Sequence, residues 1–168
     1  MSRRRALARA WLLPALLACA SCGSGTSLEG SLSDEVALDF SSVSIEQSSS
    51  AIAVIYLKAV AGTSGNDTVL KVTADTTGLK LDAPLTITLT DKVSAGPGLR
   101  GAVSRAVHDD PRQQFPPMVR GSLVLDSAPK TGSNLSGRFT VTFGQGASFG
   151  NGKTAFGDFS GTLKAAGQ

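Results

Sequence analysis

Two stretches of this sequence hold residues whose types and spacing could do chemistry. Cys19 and Cys22 stand in a C-x-x-C spacing within "LLACASCGSG", and His108, Asp109 and Asp110 are consecutive in "VHDDP". A C-x-x-C pair exchanges disulfides when its first thiolate sits at a helix N-terminus within a βαβ unit, which stabilises the thiolate. Neither flank supplies that setting, because an apolar run precedes the pair and "GSGTSLEGSLS" follows it. A zinc site needs about four Cys or His ligands, and the chain holds 2 Cys and 1 His.

The triplet His108, Asp109 and Asp110 invites a metal or general-base reading. Adjacent residues rarely converge on one ion, however, and no H-x-x-x-H or H-x-H spacing accompanies them. The residues read as an exposed turn or a helix C-terminus. They lie in the longest irregular stretch, residues 91–118, within "DKVSAGPGLRGAVSRAVHDDPRQQFPPMVR". Stretches this long are often functional, and this one holds the only histidine. If the protein has a binding site, Arg105, His108, Asp109, Asp110 and Arg112 are its candidate residues. "SGND" (64–67) lacks the alternating carboxylates of a calcium loop and reads as a turn. No phosphate-cradling loop, nucleophile elbow or H-E-x-x-H motif is present. The sequence therefore nominates no catalytic residue, no metal ligand set and no cofactor, and the expectation is a protein that is not an enzyme.

The first 22 residues explain the cysteines better. "MSRRRALARA" is a cationic start, an apolar run covers roughly Ala10 to Ala18, and small residues follow. This is the layout of an export signal, and the run is too short to cross a bilayer as a helix. The segment ending in "LLAC" resembles the lipobox of bacterial lipoprotein signal peptides, with Leu16 three residues before Cys19 and Ala18 directly before it. Cys22 fits that pattern less well, since Cys19 stands where leucine is expected. The resemblance implies cleavage after residue 18 and acylation of Cys19 with diacylglycerol and an N-linked chain such as palmitate. Several buried chains, at about 0.8 kcal/mol per CH₂, anchor a protein durably where one is marginal. Ala20 and Ser21 include no aspartate, so the resemblance implies a cell-envelope protein of the outer membrane in a two-membrane organism. The implied partners are the lipid bilayer and an envelope protein.

Charge supports that division of the chain. Without Arg3, Arg4, Arg5 and Arg9, 12 basic residues face 13 acidic ones, so the formal +3 belongs to the N-terminus. No basic surface remains to argue for nucleic acid. Residues 19–33 are rich in Gly and Ser and read as a flexible tether, with a single domain over 34–168.

Within that domain the dominant period is two, the mark of half-buried strands. "EVALDF" places Val36, Leu38 and Phe40 on one face. "AIAVIYLKAV" is apolar on both faces over Ile52–Leu57, as a covered central strand would be. "PLTITLT" puts Leu85, Ile87 and Leu89 inward and three threonines outward. "MVRGSLVLD" aligns Val119, Leu123 and Leu125. "SGRFTVTF" (136–143) and "FGDFSGTL" (156–163) form a two-member repeat at an offset of 20, whose inward glycines should either let an aromatic ring or backbone approach closely or mark a barrel-like bend. "GAVSRAVHDD" has Val103, Ala106 and Val107 at helical spacing, which predicts a helical turn or two. The sum is an all-β domain, an antiparallel β-sandwich or small β-barrel of about eight to nine strands, behind a cleaved signal helix. The glycine–phenylalanine hairpins resemble those ending many small bacterial lipoproteins, a resemblance that implies no activity. The alternative role is a lipocalin-like carrier with an apolar cavity.

Overall fold

The computed structural model describes residues 25–82, 84–93, 98–108, 114–146 and 151–167. Cys19, Cys22 and the expected signal helix lie outside them, as do Asp109, Asp110 and Arg112. The described part is all-β, with eight strands: β1 (Ser42–Gln47), β2 (Ala51–Ala59), β3 (Asn66–Asp75), β4 (Leu85–Thr88), β5 (Gly101–Ala106), β6 (Met118–Leu125), β7 (Asn134–Phe143) and β8 (Thr154–Ala165). They form one sheet in the order β4-β6-β7-β8-β1-β2-β3-β5, which curls into a nearly closed barrel. The sheet is mixed rather than antiparallel throughout. β1 runs parallel to β8, with Ile45 opposite Leu163.

Alternation places one side chain in two inside. Ile45, Val54, Tyr56, Leu70, Val72, Ile87, Leu123, Phe139, Val141, Phe159 and Leu163 are all buried in one core. Tyr56 carries a hydroxyl into that core and needs a partner there. It donates to the Asp158 carbonyl at 2.8 Å, and burial raises its phenol pKa well above the ordinary tyrosine value. Phe40 and Phe139 pack edge-on against its ring, at centroid distances of 5.0 and 5.7 Å.

The β7–β8 repeat resolves into two reciprocal pairs. Gly137 lies opposite Phe159, and Phe139 lies opposite Gly157. A Cβ on Gly137 would fall on the Val124 carbonyl and lie 2.6 Å from Phe159 Cζ. One on Gly157 would meet the Ser27 carbonyl, and Phe139 Cε1 at 3.1 Å. Each ring thus covers the glycine across from it, the close approach expected from the repeat.

Where the two edges of the sheet approach each other, among the described residues Leu89 bridges β6 and β5. Leu89, just past β4, donates its N–H to the Gly121 carbonyl of β6 (2.8 Å) and accepts from Gly101 N–H of β5 (2.7 Å). Its side chain is fully buried in space that glycine leaves at both positions: a Cβ on Gly101 would lie 2.7 Å from Leu89 Cδ2, and one on Gly121 3.1 Å from Leu89 Cδ1.

Four expectations change. The tether does not extend to residue 33, because residues 27–34 form a strap along the first half of β8. Ser27 N–H donates to the Asp158 carbonyl, and Glu29 and Phe156 exchange both backbone bonds. Leu28 and Leu32 enter the core, and a 3-10 turn, Ser31–Asp34, ends the strap. β1 covers only the far end of that β8 edge, and the strap satisfies the remaining backbone groups. Lys153 holds the turn through Asp34 (3.2 Å), Glu35 (3.3 Å) and the Ser31 carbonyl (3.2 Å).

Residues 36–40 keep their predicted alternation, with Val36 and Leu38 buried, yet join no strand. Residues 101–106 are strand β5, not a helical turn. β3 offers a ladder in which Val103 faces Val72 and Gly101 faces Ala74, and that pairing overrides a weak local spacing. The stretch 91–118 is accordingly less irregular than composition suggests. Finally, Val119 is 52% exposed, apart from the buried Leu123 and Leu125, because the β6–β7 register shifts between Met118 and Arg120. Such a bulge turns one side chain out of the alternation.

Candidate functional site

Of the five residues nominated from sequence, the described structure contains Arg105 and His108. Both follow from β5. Val103 and Arg105 are half-buried while Ser104 and Ala106 face solvent, and the chain leaves the strand at Val107–His108. The pairing Thr68↔Ala106 brings the start of β3 beside this exit.

That pairing supplies a partner the sequence reading missed. Asp67, buried at 9% exposure, places Oδ1 2.7 Å from His108 Nδ1 and accepts the His108 backbone N–H on Oδ2 at 3.4 Å. The hydrogen bond from the imidazole is the main cause holding the Asp67 carboxyl below its ordinary pKa. Burial opposes it, while the backbone N–H and the charges of His108 and Arg105 reinforce it. An ionised Asp67 fixes the tautomer of a neutral His108, with the proton on Nδ1 and Nε2 left to accept. The His108 side chain as a whole is 82% exposed.

Asp67 and His108 are 41 positions apart, so only the β3–β5 register could join them. Asp67, expected in the turn "SGND", is instead the second residue of β3 and is buried, as Val69 is two residues on.

Beside the pair lies a shallow groove of about 250 Å³ lined by Val103, Ser104, Arg105, Gln114 and Phe115. Phe115 is seated against Phe143, at a ring distance of 5.3 Å, which fixes one apolar wall. The groove therefore combines a guanidinium, an amide and a ring, a mixture suited to holding an acidic or amide group by hydrogen bonds. An oriented imidazole can also accept a proton, but nucleophilic catalysis needs a hydroxyl or thiol bonded to it. Among the described residues no serine, threonine or cysteine side chain hydrogen-bonds to His108. Nor, among them, do three or more His, Cys, Asp or Glu gather in a way that could hold a metal ion. No described helix is long and apolar enough to cross a membrane.

No family model matches the chain, and no curated protein or solved structure is similar to it at a significant level.

Proposed function

We propose that the chain is a lipid-anchored protein of a bacterial cell envelope, with Cys19 as the acylated residue. Its β-domain then serves as a non-catalytic binding or scaffolding module, in the outer membrane where the organism has two membranes. The observation that carries this reading is "LLAC" at 16–19 behind an arginine cluster and an apolar run. The strap is consistent with it. Ser27 is already bonded to β8, so the link from Cys19 spans eight residues. At roughly 3.3–3.6 Å per residue it reaches at most about 29 Å. Such a short link keeps the barrel wall close to the bilayer, as a module that meets envelope partners would need.

Detergent phase partitioning of wild type, Cys19→Ser and Cys22→Ser tests the anchor. Wild type and Cys22→Ser should enter the detergent phase, and Cys19→Ser should remain aqueous. Loss of partitioning in Cys22→Ser alone would move the anchor to Cys22, and loss in neither would remove it.

The barrel shape favours a second reading, a lipocalin-like carrier of an apolar ligand. Tyr56, Phe143, Phe159, Leu70 and Leu125 each have 0% exposure, so these side chains line no water-sized cavity. A carrier would have to part this packed core, for example by lifting the strap whose Leu28 and Leu32 enter it. A hydrophobic fluorophore that gains emission on binding, and is competed by fatty acid, would favour this reading.

A further inference from the structure

The outer faces of β4, β6 and β7 meet in a feature that the site above does not use. Alternation turns Ile87, Leu89, Leu123 and Val141 inward and leaves Thr88, Ser122, Thr140 and Thr142 outward. The register sets Thr88 opposite Ser122 and Ser122 opposite Thr140, one hydroxyl per strand in a single row. Arg120 and Thr142 form the next row, and Thr90 continues the first edge where Leu89 dips toward β5. Together these six residues and Gly121 line a basin of about 350 Å³, near the lower end of small-ligand sites, which run from roughly 300 to 1,000 Å³.

Three observations separate this basin from an ordinary solvated strand face. Its lining includes one guanidinium and no carboxylate. Among the described residues, none of its five hydroxyls makes a side-chain hydrogen bond, nor does Arg120. Hydroxyls elsewhere do find partners: Ser136 of β7 donates to Asp126 at 2.9 Å, and Ser27 of the strap to Asp158 at 3.1 Å. No apolar or aromatic side chain lines the basin, which disfavours a hydrophobic ligand or a stacked base.

We infer that this basin binds a carboxylated saccharide, with the guanidinium of Arg120 taking the carboxylate and the threonine and serine hydroxyls taking sugar hydroxyls. Each half of that match has a chemical reason. Arginine presents two parallel N–H donors that fit a carboxylate in bidentate fashion. Hydroxyls both donate and accept, so they pair with sugar hydroxyls in either sense. The flat, open shape admits a chain of sugars lying across the strands. This inference gives the binding reading a ligand class, and it stands apart from the lipid anchor, whose test does not involve the basin.

The test is a titration of the full chain in detergent micelles, observed through isotopically labelled threonine methyl groups. The ligands are a trigalacturonate, a neutral trisaccharide, acetate and inorganic phosphate. Trigalacturonate should shift the methyls of Thr88, Thr140 and Thr142 saturably. Arg120→Gln should weaken it about tenfold, the equivalent of one charge-assisted hydrogen bond. Thr140→Val, close to isosteric on an exposed face, should weaken it about threefold. Unchanged thermal melting of both variants confirms that each still folds. Equal shifts with the neutral trisaccharide, or unchanged affinity in Arg120→Gln, would overturn the proposal. So would saturation by acetate or phosphate alone, which would leave a simple anion site.

Discussion

Gly137 and Gly157 sit in strands of 10 and 12 residues, each covered by a ring from the strand opposite. Gly101 and Gly121 instead flank one leucine, at the point where a strand of 4 residues ends. The first arrangement belongs to a wall continuously paired from Asn134↔Thr162 to Thr142↔Thr154. The second is a seam in which, among the described residues, the backbone of Leu89 bridges β6 and β5. In both places the missing Cβ admits a neighbour's side chain, but the consequences differ. In the wall, rings and ladder reinforce each other over many residues. At the seam, among the described residues, Leu89 supplies one buried side chain and two hydrogen bonds, and Arg100 N–H adds one to the Asp91 carbonyl at 2.6 Å. Local opening should therefore begin at the seam. The candidate groove and the hydroxyl basin both lie beside it, so the open side of the barrel is also the side with polar side chains to offer a partner.

The largest expected effect breaks the wall. Phe159→Ala removes the ring covering Gly137 and should cost about 3–5 kcal/mol in urea unfolding, with protection lost across the whole domain. A cost below about 1 kcal/mol would mean that the ring pairs are incidental. Leu89→Ala attacks the seam and should cost about 2–4 kcal/mol. Its signature is spatial: hydrogen exchange at the Gly101 amide should accelerate more than at β7–β8 amides. Uniform acceleration would erase the distinction between the two regions.

Tyr56→Phe sharpens the comparison on the wall side. It deletes the bond to the Asp158 carbonyl, which still accepts from Ser27 N–H. The expected loss is therefore about 1 kcal/mol, without the penalty of an orphaned carbonyl.

The smallest effect is the pH response of the Asp67–His108 pair. The folded-state pKa of Asp67 lies below the ordinary value. Its contribution to stability is therefore present above the unfolded pKa of about 3.9 and is lost as pH falls through the lower folded value. The stability difference between wild type and Asp67→Asn should be present above that unfolded pKa and shrink in strong acid. A difference that grew in acid would reverse the sign.

The period-two pattern identified most of this fold. Ile87 and Leu89 against Thr86, Thr88 and Thr90, or Phe139 and Val141 against Arg138 and Thr140, can be read as inward and outward from sequence alone. The parallel β1–β8 pair could not be, since alternation fixes a face but carries no information about the neighbouring strand. The strap was hidden for a related reason. "TSLEGSLSDE" has a tether's composition, and only the open edge of β8 gives Leu28 and Leu32 somewhere to go. Val119 misled because a bulge inserts one residue and so flips the pattern locally. At the candidate site His108 and Arg105 were legible as the residue types worth watching. Asp67 was not, because a bond between strands far apart in sequence depends on register, and register emerges only when the barrel closes.

The reading of the whole chain turns on its first cysteine, and mass spectrometry of the N-terminal peptide from the membrane fraction tests it most directly. The mature protein should begin at Cys19, with a mass increased by a diacylglycerol and one further acyl chain. An N-terminal peptide that retains residues 1–18, or one with an unmodified Cys19, would contradict it.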